Sequence, residues 1–175
     1  MSKKYEVSII FSLHVTTLFV ITYISLVRLE EEIKQPNFQD EWQKALLNIQ
    51  YTGNWLVDKF LTITKKYGIN DQHYNILRIL RGAHPDCLCP GDIKQVLVNK
   101  RGDLTRLIDK LVKMNLVDRQ VNSNNRRMLD IHITSQGLEL LDEMDTDVNA
   151  IENLKLHITE KDAKTLNKIL DKIRD

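Results

Sequence analysis

Glycine and proline are scarce in this chain, six and three in 175 residues, and cysteine is scarcer still at two. So few turn-forming residues leave little room for loops and point to a helix-rich protein. Cys87 and Cys89, separated by one residue, set up no disulfide framework, so a reducing cytoplasm is the expected setting. His84 beside them does not complete the ligand set that a structural zinc requires, and neither a metal nor a cofactor is expected. No G-x-S-x-G, H-E-x-x-H, P-loop or dinucleotide fingerprint occurs, and the five histidines have no serine or cysteine at a recognisable catalytic spacing. The reading is therefore not an enzyme. Nor is the chain basic as a whole, since its net charge is only +1.

What is present is local. From Ile93 the sequence runs through a short apolar-periodic segment to Leu97, then a basic join, Asn99-Lys100-Arg101-Gly102-Asp103. The next segment, Leu104 to Met114, places apolar residues at 104, 107, 108, 111 and 112, the spacing of a helix with one buried side. Its other side carries Arg106, Asp109 and Lys113, flanked by Thr105 and Lys110. Leu116 to Val121 and Met128 to Thr134 read as strands. The second alternates Leu129, Ile131 and Ile133 against Asp130, His132 and Thr134. Between them lies the polar turn Asn122 to Arg127, tipped with two adjacent arginines. Two helices followed by a basic-tipped hairpin describe a winged helix-turn-helix. Residues 100–127 hold eight lysines and arginines (100, 101, 106, 110, 113, 119, 126, 127) against three aspartates (103, 109, 118). A local excess of five positive charges in a nearly neutral chain is the pattern of a DNA-binding face.

Four pieces of this region resemble the MarR family of bacterial transcriptional regulators. They are Leu104-Thr105-Arg106-Leu107-Ile108-Asp109-Lys110-Leu111, Asn115-Leu116-Val117-Asp118-Arg119, Asn125-Arg126-Arg127 and Ile133-Thr134-Ser135-Gln136-Gly137-Leu138. The family has T-R-L-x-D-x-L in the recognition helix, G-L-V-x-R at its exit, D-R-R in the wing and L-T-x-x-G-x-x-L at the start of the next helix. Order and spacing of the four pieces agree, with looser similarity from Leu29 to the C-terminus. Asn115 stands where glycine is usual, Asn125 where aspartate is usual, and Gly102 and Asp103 where small hydroxyl residues are common.

The resemblance implies a mainly α (α+β) fold: a winged helix-turn-helix over 68–134, with dimerisation helices at 29–67 and 135–175. It implies a homodimer on a pseudo-palindromic, double-stranded operator, each recognition helix in a major groove and half-sites about one turn apart. The expected regulation is repression released by a small, aromatic effector. Expected DNA contacts are Lys100, Arg101, Thr105 and Arg106 from the helix region, with Asn124 and Arg126 on phosphates and Arg127 in the minor groove. Two alternatives stay open within this set. Asp109, one turn on, is a competing ion-pair partner for Arg106, and Asp103 either reads cytosine or favours the helix N-terminus, the second being preferred. Tyr51, Trp55 and Tyr74 are the aromatics nearest the expected effector site, although packing alone accounts for such residues at helical spacing.

Elsewhere the reading follows local signals. A break at Gln35-Pro36 divides the first helical region, Gly68 closes it, Asp71 caps the next helix and a short strand lies in the loop 84–90. Thr134 caps a helix reaching about Asn153, and Thr159-x-x-Asp162 forms a capping box for the last. Residues 7–27 are uncharged and, at 21 residues, long enough to cross a bilayer, which takes about 20. Lys3-Lys4 would hold that end inside the cell and so place the wing outside, away from DNA. Residues 1–28 are thus read as a start-site artefact, a membrane anchor or a dimer-packing extension, in that order. A membrane-tethered signalling or protein-interaction module is the alternative function.

Overall fold

The computed structural model describes residues 28–123, 125–152 and 156–175. They fall into two compact units divided after Thr52. The reading of residues 1–27 as artefact, anchor or dimer segment lies outside the described residues, as does Asn124. Among the described residues no helix is long and apolar enough to cross a membrane.

The first unit holds α1 (Leu29–Glu32) and the beginning of α2 (Glu41–Lys66). The chain between them is not helical, as Pro36 predicts. Asp40 starts α2 by accepting the Gln43 N–H at 2.8 Å. Glu30 and Lys44 pair at 2.5 Å, and the hydrogen bond from that lysine holds the Glu30 carboxyl below its ordinary range.

The second unit contains the rest of α2, then α3 (Asp71–Ala83), α4 (Pro90–Val96), α5 (Leu104–Lys113), β1 (Val117–Val121), β2 (Leu129–Ile133), α6 (Ser135–Glu152) and α7 (Glu160–Arg174). The strands form one antiparallel pair in which Val117 faces Ile133 and Val121 faces Leu129. The strand expected in the loop 84–90 shrinks to one bridge, Leu88 with Ile131, whose two N–H···O bonds measure 3.1 and 2.9 Å. Asp71 does not cap α3. Asn70 does, its side chain accepting from the His73 N–H while the His73 Nδ1 accepts from the Asn70 N–H. Asp71 is the first helical residue, so its carboxylate sits one position too late to cap. The Cys89 thiol likewise caps α4, accepting from the Asp92 N–H at 3.4 Å.

Ile76, Leu77 and Leu80 of α3, Ile93 of α4, Leu111 of α5, Ile131 of β2, and Leu141, Met144 and Val148 of α6 are fully buried in one cluster. Each such side chain contributes about 1.5–3 kcal/mol through burial. His73 is buried with them, and burial, with the Lys110 ammonium adding to it, lowers its pKa from 6.5 to about 4. Its Nδ1 serves as an acceptor in the α3 cap, a task open only to the neutral ring.

Two helix ends share a design. At the ends of α2 and α5 the residues two beyond the helix, Gly68 and Asn115, adopt left-handed backbone with φ of 69° and 56°. Both ends make the same pair of closing bonds: Gly68 N–H to Lys65 and Ile69 N–H to Thr64, then Asn115 N–H to Val112 and Leu116 N–H to Leu111. Asparagine tolerates this conformation better than other side chains, which explains how Asn115 occupies a position where glycine is usual. The same joint receives α6. The Thr134 hydroxyl donates to the Asn115 carbonyl at 2.7 Å and accepts from the Gly137 N–H at 3.0 Å. A Cβ on Gly137 would stand 2.2 Å from the Leu116 carbonyl oxygen, so only glycine lets α6 approach the start of β1 this closely.

Candidate nucleic-acid interface

The interface is built on α5 and the hairpin. Ile108 and Leu111 fix the inner side of α5 in the core, with Leu104, Leu107 and Val112 packed against it, so the remaining face must point outward. Asp103 caps this helix, accepting from the N–H groups of Thr105 and Arg106 at 3.1 and 3.3 Å. That is the helix-end role expected of it. The Arg106 guanidinium reaches back to Asp103 at 3.3 Å, not forward to Asp109. Asp109 instead meets Arg119 of β1 at 2.6 Å, tying the middle of the helix to the wing strand. The competing Arg106–Asp109 pair does not form, because the N-cap places Asp103 beside Arg106 and the antiparallel hairpin brings Arg119 across to Asp109.

These pairings sharpen the charge count. Two of the eight cations in residues 100–127 are matched to two of the three aspartates. Lys100, Arg101, Lys110, Lys113, Arg126 and Arg127 are exposed and form no ion pair among the described residues. The third aspartate, Asp118, accepts from Gln120 and from the Arg119 N–H. Arg106 is 87% exposed in its side chain, and an ion pair that open to water is worth little, so its guanidinium can exchange Asp103 for a phosphate. Thr105 is exposed beside it.

The hairpin tip is held by asparagines that sequence reasoning did not single out. The Asn122 N–H donates to the Met128 carbonyl at 3.0 Å, and Met128 returns a bond to the Asn125 carbonyl at 2.8 Å. The Asn122 side chain donates to both oxygens of Asp130, at 3.0 and 2.9 Å, and accepts from the Asn125 N–H at 2.8 Å. Asn125 in turn accepts from the Arg127 N–H at 3.1 Å, a bond the family's usual aspartate would make equally well. The Asp130 carboxylate also stands beside the half-buried Cys87, whose thiol is pushed up by burial and by that charge. Asparagine on both sides of a turn is the sequence signal that could have pointed here.

A separate cavity of about 350 Å³ lies between the C-terminal half of α2, α3 and the join after α4. Leu56, Val57, Phe60, Tyr74, Leu97 and Val98 supply its apolar wall, and Asp71, Gln72, Asn75, Arg78 and Asn99 its polar one. Of the three aromatics expected near an effector, Tyr74 lines it, its hydroxyl accepting from Arg78 at 2.8 Å. Trp55 is not among the lining residues and carries Lys59 over its ring. Tyr51 belongs to the first unit, where its hydroxyl donates to Glu32 at 2.5 Å. No cluster of three or more metal-ligating side chains occurs among the described residues.

A helix seated on a helical core, followed by a basic-tipped antiparallel hairpin, defines a winged helix-turn-helix protein. Residues 67–128 match the MarR family. The chain is 38% identical over 72 residues to the HTH-type transcriptional regulator PapX of Escherichia coli, a match covering 41% of this chain and 44% of PapX. It thus spans less than half the length of that relative. The crystal structure of a MarR transcription factor from Planctomyces limnophilus superposes with a TM-score of 0.60 at 28% identity, covering 79% of this chain and 98% of that one. A mutant MarR from E. coli complexed with operator DNA gives 0.61 at 24% identity, over 83% and 98%, a likeness of fold.

Proposed function

We propose that this chain is a transcriptional regulator of the MarR type that binds double-stranded operator DNA as a homodimer. The observation that carries the reading is the set of six exposed cations left without carboxylate partners on α5, its leading join and the wing. Unpaired like charges held together repel one another unless an anion lies opposite, and a duplex presents one charge about every 1.7 Å along its axis. Ten residues of α5 span about 15 Å, and its outward face fits a major groove about 12 Å wide. Arg101, Thr105 and Arg106 then face base edges or phosphates, with Lys100 on the backbone. Arg126 and Asn124 lie on phosphates, and Arg127 enters the minor groove.

Homodimerisation is supported by apolar side chains that have no cover among the described residues of one copy. Helix α7 buries none of its residues and exposes Leu166, Ile169 and Ile173, while α2 exposes Trp55, Val57 and Leu61. A second copy meeting these helices about a two-fold axis would bury them and place two α5 helices for a pseudo-palindrome. The cavity beside Tyr74 is the place for a small aromatic effector. Such a ligand relieves repression only by preferring the arrangement that DNA does not.

The test is fluorescence anisotropy of the full-length chain with DNA from its own upstream region, titrated at several salt concentrations. Binding should be selective and fall steeply with salt, and Arg127→Ala should weaken it about tenfold. Equal affinity for random DNA, indifferent to Arg127, would sink the reading.

A further inference from the structure

We infer that Asn122 and Asp130 form a clamp that positions the wing arginine, so that DNA contact by Arg127 depends on two residues that need not touch DNA themselves. The inference rests on the DNA-binding reading above and concerns how that site is held. Seven residues, 122–128, join the ends of the β-ladder at Val121 and Leu129, and among the described residues no backbone pairing continues there beyond the Asn122–Met128 and Met128–Asn125 bonds. A polar turn carrying Arg126 and Arg127 side by side is pushed apart by its own charge. Side-chain bonds must therefore set its shape.

They run in one direction, from the sheet to the arginine. Asp130 lies in β2, one residue before the fully buried Ile131, and is thereby fixed to the core. Its two oxygens receive the Asn122 amide at 2.9 and 3.0 Å. With its amide so oriented, Asn122 presents Oδ1 to the Asn125 N–H, and Asn125 presents its own to the Arg127 N–H. A carboxylate accepts only and an asparagine both donates and accepts, so the order Asp130, Asn122, Asn125, Arg127 has one consistent hydrogen-bonding sense. An acidic residue on a DNA-facing hairpin would otherwise oppose binding. Here its charge is engaged by an amide and directed inward.

The clamp makes an exchange test available. In full-length protein, Asn122→Ala should weaken operator binding roughly fivefold and lower the salt dependence much as Arg127→Ala does, with the two effects failing to multiply when combined. Asn122→Asp should bind worse still, since two carboxylates then meet across the hairpin. Adding Asp130→Asn to it restores an amide–carboxylate pair with its ends reversed, returns the net charge to its original value, and should bring affinity back to within about twofold of the unaltered chain. The inference is overturned if Asn122→Ala binds within twofold of the original, if its effect multiplies fully with that of Arg127→Ala, or if the exchanged pair melts normally but stays weak. An unaltered chain that selects no DNA at all removes the functional reading, and the clamp with it.

Discussion

Helices α5 and α7 are written in the same pattern and meet opposite fates. Each carries apolar residues at three- and four-residue spacing, a polar outer face and a side-chain cap at its start, Asp103 for α5 and Thr159 with Asp162 for α7. Helix α5 drives Ile108 and Leu111 into the core, whereas α7 buries nothing. Periodicity states that a face needs cover and is silent on what covers it. For α5 the cover is supplied by α3, α4 and the strands of its own chain. For α7 the described residues supply none, and the homodimer proposed above is the source that suits it.

The contrast can be broken most sharply by truncation. Leu111→Ala should cost about 2–5 kcal/mol in urea unfolding at any protein concentration, because the cavity it leaves is internal. Ile169→Ala should instead act through assembly, leaving the unfolding midpoint unchanged in dilute protein and lowering it only where the dimer forms. An equal loss at all concentrations would show that α7 is packed within its own chain.

Acid separates the two neighbourhoods next. A buried neutral His73 binds its proton at about 4, while in the unfolded chain it binds near 6.5. The unfolded state takes up more protons between those values, so stability is full above about 6.5 and falls as pH drops toward 4, by on the order of 3 kcal/mol. His73→Gln should remove that slope, as measured by urea midpoints across pH. The cap of α7 answers in a different window. Hydrogen bonds from Thr159 hold the Asp162 carboxyl below its ordinary 3.8, so its contribution is present above that value and is lost at still lower pH.

The smallest effect lies at the end of α5. Asn115→Ala forces a Cβ-bearing residue without a helpful side chain into left-handed backbone and should cost about 1 kcal/mol, whereas Asn115→Gly should be neutral or slightly stabilising. Thermal melts of the two variants check it.

Much of the fold could be read in advance because its signals are local. The five-residue stripe of α5, the alternation of β2 and the Thr134 cap each sit within a few consecutive positions. Neighbouring alternatives misled where two residues could do the same task, as with Asn70 and Asp71, since only the backbone decides which side chain can reach the third N–H. The ion pairs were not legible for a different reason. Arg119 lies ten positions from Asp109 and meets it only after the chain has closed α5 and turned into β1. Asn122 and Asp130 are eight apart and joined only by the hairpin. Contacts that depend on register and closure leave no mark in composition or periodicity. The cationic surface was visible as an excess of charge, and its size became clear only once the structure showed which charges cancel.

The absence of a side chain at Gly137 has a mechanical meaning. With the Leu116 carbonyl wedged against that glycine and Thr134 bonded to both flanks, the beginning of α6 and the beginning of β1 are held in direct contact. Moving as one piece, they would be the two arms of a lever. Five strand residues extend about 17 Å, so tilting the base of α6 by about 10° would swing the far end of the hairpin roughly 3 Å. A displacement of the helix too small to disturb the core would then be large enough to move the wing arginines.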